Sequence, residues 1–162
     1  MRQVETFSLR ESDRRIDPEG GDKTARHFLD FVVDGQSLYQ MLTEYDLITG
    51  LSADDKVPLR VAEATIDRLL GSVAGDAPRG RVSVYVCPEC GDLGCGALTV
   101  ELRRTPDRVM WLAWGYQNNY EDTLHAVDLG LDELSFDRDQ YEAVLRAGRL
   151  RLGRNTHEYQ SE

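Results

Sequence analysis

Three cysteines, Cys87, Cys90 and Cys95, stand close together in C-P-E-C-G-D-L-G-C and are the residues of this chain best equipped for chemistry. Thiolates are nucleophiles and soft metal ligands. Two of them separated by two residues, with Pro88 after the first and Gly91 after the second, predict a tight turn on which amides and thiolates converge toward a metal. A closed zinc site takes four protein ligands at about 2.0–2.3 Å. Three are local here, so the fourth comes from afar. His125 leads because it follows a predicted strand; Asp92, inside the turn, is a poorer choice, and His27 and His157 lie in other segments. An open fourth position would permit water activation, but no general base stands beside the cysteines in sequence. The alternative is packing alone, with small thiols at a glycine-rich turn and Cys87 facing Cys95.

The spacing resembles the first part of a zinc knuckle, C-x2-C-G-x2-G-H-x4-C. Gly91 and Gly94 match, Cys95 stands where that family has His, and the last ligand position holds Val100. The basic, aromatic surface that accompanies such knuckles is missing. A thiol-oxidoreductase reading is weaker. In thioredoxin-like proteins the C-x-x-C opens a helix, whose positive N-terminus lowers the thiol pKa, whereas a β-run follows Gly91, Gly94 and Gly96 here. Iron–sulfur ligation usually takes four cysteines.

Other constellations say less. Nucleotide-binding and hydrolase motifs are absent, and paired acids such as Asp54-Asp55 and Asp132-Glu133 read as solvated. The formal charge of −10 argues against nucleic acid, whose binders neutralise phosphates with a basic face. From Glu121 to Glu142 eight acids face one base, so this segment carries −7 of that total. It reads first as a solvated face. The sharper reading is an acidic patch built on Asp128, Asp132, Glu133 and Asp137 that docks a basic protein, a toxin or a nuclease. Complementary charge speeds encounter, and aromatic anchors such as Trp114 or Tyr120 would hold the complex.

The elements that position these residues follow from periodicity. Residues 1–26 are charged, carry only Phe7 and Leu9 as apolar anchors and break at Pro18–Gly21; they read as a mobile arm or at most one edge strand. Phe28–Val33 is a strand. Ser37 caps a helix with Leu38, Met41, Leu42 and Tyr45 on one face, and Pro58 starts a second one closed by Gly71. Val82–Val86 and Leu98–Leu102 alternate on either side of the cysteines, which predicts an antiparallel hairpin with one buried face. Val109–Tyr116 and Leu134–Phe136 follow as strands, and Asp137 caps a last helix that Gly148 ends. The expectation is an α+β fold, one domain over 27–150 with a polar tail over 151–162. An antiparallel sheet of four or five strands would carry about three helices, mainly on one face. With no export signal or membrane span, the cytoplasm is the expected compartment and no membrane partner is expected.

Taken together, C-P-E-C-G-D-L-G-C-G-A-L-T-V, V-M-W-L-A-W and F-D-R-D-Q-Y-E-A-V-L resemble a family of small uncharacterised bacterial proteins, over residues 82–145. That resemblance implies the hairpin and the final helix and adds little about activity. The leading functional expectation is a non-enzymatic binding module, an immunity- or antitoxin-like inhibitor. The alternatives are a zinc protein on Cys87, Cys90, Cys95 and His125, or a small thiol oxidoreductase.

Overall fold

The computed structural model describes residues 1–16, 21, 23–52, 54, 57–90 and 93–160, with side chains through 154. Asp92, Gly91, Asp55, the stretch 17–20 and the side chain of His157, all named above, lie outside the described residues. Among those described, the order is β1 (Arg2–Val4), β2 (Phe7–Asp13), β3 (His27–Val33), β4 (Gln36–Ser37), α1 (Leu38–Met41), β5 (Ile48–Thr49), α2 (Leu59–Leu70), β6 (Val82–Val86), β7 (Ala97–Arg104), β8 (Arg108–Gln117), β9 (His125–Ala126), β10 (Leu134–Asp137) and α3 (Arg138–Gln160). No helix among them is long and apolar enough to cross a membrane.

The fold is α+β, but its sheet is larger than expected and mixed. Seven strands run in the order β1-β10-β8-β7-β6-β5, with β9 joined to β8, and a second sheet holds β2-β3-β4. β1 pairs with β10 in parallel, Arg2 opposite Leu134, so the sheet is not purely antiparallel. The first thirteen residues, expected as an arm or one edge strand, supply two strands. In β2, buried Phe7 and Leu9 alternate with exposed Ser8 and Arg10, an edge-strand pattern that charge content alone masks.

The two sheets meet across an aromatic core. Phe31 of β3 packs edge-on against Tyr85 of β6 at 6.0 Å and Trp111 of β8 at 5.1 Å between ring centroids. Asp30, fully buried in the same strand, accepts hydrogen bonds from Ser37 Oγ (2.5 Å), Tyr85 Oη (2.8 Å) and Tyr39 N (3.3 Å). Burial, the largest influence, raises its pKa although these donors oppose it. The hairpin β6–β7 forms as expected, with Val86 opposite Ala97, but both faces of β6 are buried rather than one.

The helices match in part. α2 ends where Gly71 takes the left-handed conformation (φ 76°) and its N–H turns back to Arg68. Asp137 caps α3 by accepting from Gln140 N at 2.9 Å. α1 is one turn only: Ser37 caps Gln40 N, and Leu42 N already turns back to Tyr39 O at 3.1 Å. α3 runs through Gly148 and the expected tail to Gln160, and Leu152 is buried. Gly148 lies against Leu9, where a Cβ would meet Leu9 Cδ1 at 2.6 Å. It marks a close helix-to-strand approach, not a stop.

Candidate metal centre

The β6–β7 hairpin holds the cysteines on the loop between Val86 and Ala97. Cys87 follows β6 directly and is half-buried, whereas Cys90 and Cys95 are exposed. Leu93–Cys95 make a short 3-10 turn, closed by Gly96 N donating to Leu93 O at 2.9 Å. Gly96 sits at φ 95°, and any Cβ there would run into the Tyr116 phenol, whose hydroxyl donates to Cys95 O at 3.2 Å. Glycine is required on both counts.

The three sulfur atoms all lie within 4.8 Å of one another. Burial raises the Cys87 thiol pKa, but the amides of Cys90 and Glu89 and the thiols of Cys90 and Cys95 point at its sulfur and bring it below its ordinary value. Donors aimed at one sulfur stabilise the thiolate that a metal needs. Cys90 Sγ and Cys95 Sγ are 2.7 Å apart. Two thiolates on one tetrahedral zinc stand roughly 3.8 Å apart at the usual Zn–S length, so loading would separate this pair. The donor set is soft and suits zinc or another thiophilic ion.

The loop is fastened from a distance by two buried arginines. Arg14 donates through Nη1 to Glu89 Oε1 (2.5 Å) and through Nε and Nη2 to Asp46 (3.1 and 2.7 Å). Arg26 donates to Pro88 O (2.6 Å), Ser52 Oγ (3.0 Å) and Asp54 Oδ2 (2.9 Å). Arg14, followed by Thr24, holds the Glu89 carboxyl down at about 2. The one described carboxylate between Cys87 and Cys95 is thus committed to a clamp rather than placed as a base. Nothing in the local spacing of Arg14 or Arg26 announces this role, because their partners are 75 and 62 positions away.

The other named residues lie elsewhere. His125 pairs with Tyr116 on β9, is exposed, and has Glu121 at 4.0 Å; it is not in the cysteine cluster. Trp111 is core, and Trp114 is buried too, its indole N–H donating to Asp132 O at 3.2 Å, which removes it as a surface anchor. Asp128, Asp132, Glu133 and Asp137 are exposed, and Tyr120 is 80% exposed. Two of these acids also have structural work. Glu133 accepts from Ala113 N at 2.8 Å, where the backbone is left-handed (φ 52°), and Asp137 caps α3.

Comparison with protein-family models, with curated proteins and with solved structures finds no match to this chain.

Proposed function

We propose that this protein binds a thiophilic metal ion, zinc foremost, through Cys87, Cys90 and Cys95. The observation that carries the reading is the convergence of three sulfur atoms within 4.8 Å on one clamped loop. A fourth ligand then comes from outside this trio, as water, as a partner's side chain or as a residue such as Asp92. His125, paired with Tyr116 on β9, lies outside the sulfur cluster. The ion, when bound, supplies a rigid cross-link within the loop; the chain's own residues aim the amides at Cys87 and hold the loop against the strands. The test is metal analysis of protein purified without added zinc, beside Cys90→Ser. One equivalent of metal in the wild type and its loss in the variant support the proposal. Substoichiometric metal in both, with equal melting, ends it.

A second reading keeps the acidic face as a docking surface for a basic protein, in the manner of an immunity or antitoxin protein. Exposed Tyr120, in the same segment as the four exposed carboxylates, favours it. Asp128→Lys with Asp132→Lys is the informative pair, since it spares the acids that serve Ala113 and α3. Association with a basic partner should slow and lose its salt dependence; unchanged kinetics would discard this reading.

A further inference from the structure

A cleft of about 500 Å³ opens between α2 and β6, beside the cysteine loop but separate from its sulfur atoms. Its size is that of a small-molecule site. Val61 and Ala64 of α2, Val86 of β6 and Leu93 of the loop give it an apolar lining. Arg60 and Arg68, two turns apart on the same helix face, bring positive charge to it, with Thr65 and Asn119 adding polar groups. Arg60 is exposed and has no carboxylate partner among the described residues. Arg68 is held by Thr65, its Nη2 donating to Oγ1 at 3.2 Å. Its Nε lies 3.6 Å from Asp76 Oδ1, which instead accepts from Ser83 N at 2.9 Å.

Two polar atoms of this wall are buried without a hydrogen-bond partner among the described residues: Arg68 Nε and Ser83 Oγ, on a serine only 3% exposed. Buried donors left unpaired are rare and costly in native folds. Two cationic groups and an unpaired hydroxyl around an apolar hollow, on a chain of net charge −10, form a site with one evident complement. Asp76 neutralises only part of the charge and is itself tied to the Ser83 backbone.

We infer that this cleft binds a small organic anion, its carboxylate or phosphate held by Arg60 and Arg68 and its apolar body seated on Val61, Ala64, Val86 and Leu93. A guanidinium offers a planar fork of donors to either oxyanion. The inference stands apart from the metal proposal, because none of the cleft residues is a sulfur ligand.

Calorimetric titration of the whole protein with phenylacetate, phenyl phosphate, phenylacetamide and inorganic phosphate tests it. One of the two aromatic anions should bind saturably. The isosteric amide should bind at least about tenfold more weakly, since it lacks the charge the arginines recognise, and inorganic phosphate should trail for want of an apolar body. The tighter of the two aromatic anions identifies the headgroup. Arg60→Gln should weaken binding by about tenfold with unchanged melting, because Arg60 is exposed and makes no hydrogen bond or ion pair among the described residues. Ser83→Ala should weaken it as well. Arg146→Gln, an exposed change on α3 away from the cleft, should leave it alone. Absence of saturable binding by both aromatic anions overturns the inference. So does equal affinity for the amide, or an equal effect of Arg60→Gln and Arg146→Gln.

Discussion

Replacing Arg26 by Ala removes the guanidinium that ties the cysteine loop to the strands. Arg26 is 4% exposed and makes three hydrogen bonds, to Pro88 O, Ser52 Oγ and Asp54, whose own side chain is only 11% exposed. Truncating one partner of a buried ion pair costs about 3–5 kcal/mol, mostly because the other charge is left desolvated. In a domain of this size each kcal/mol shifts the melting temperature by about 2–4 °C, so Arg26→Ala should melt about 10 °C lower. Urea unfolding followed by the fluorescence of buried Trp111 and Trp114 reads the loss directly, with an unchanged m-value marking it as a stability effect. The double variant Arg26→Met with Asp54→Asn removes both charges and should recover much of the loss. A single-variant cost below about 1 kcal/mol, or a double variant no better than the single, would refute the view that a buried charge pair fastens the loop.

Tyr85→Phe deprives buried Asp30 of one hydrogen-bond donor and should cost about 1.5–3 kcal/mol in urea unfolding; a negligible change would mean that the carboxyl does not depend on the phenol. Gly96→Ala forces a side chain into left-handed backbone and against Tyr116, so it should lower both the melting temperature and the metal content of the purified protein. Wild-type values for both would contradict the loop geometry. Glu89 titrates at about 2 when folded, below its ordinary range, so its contact with Arg14 contributes fully above that range and fades only as pH falls toward that value. Proton competition for a thiolate-bound ion sets in well above a carboxyl that titrates at about 2, so acidification should release metal first and loosen the clamp afterwards. Carboxyl NMR shifts of Glu89 that move together with metal release would contradict that order.

The sequence carried the local part of this structure well. The hairpin followed from Val82, Val84 and Val86 alternating with polar partners, and α2 from its apolar face and the Gly71 stop. The caps at Ser37 and Asp137 also lie where side-chain oxygens predict them. What stayed hidden depends on distant pairing. β1 finds its partner 132 residues along the chain, and no property of R-Q-V announces a parallel neighbour. Gly148 looks like a helix stop in sequence because a glycine's freedom and a glycine's smallness cannot be told apart there; Leu9 at its side distinguishes them. The same holds at the candidate site. Three cysteines show by spacing that they will meet, but the arginines that brace them, and the cleft of Arg60, Arg68 and Ser83, are assembled from segments with no shared pattern.

The bracing of the loop also orders events in time. Glu89 reaches Arg14 across 75 residues and Pro88 reaches Arg26 across 62, so neither contact can form until both sheets are in place. Closing such long loops comes late for a refolding chain. Ion capture should therefore trail the burial of the tryptophans, and adding zinc at the start of refolding should leave the rate of the main phase unchanged.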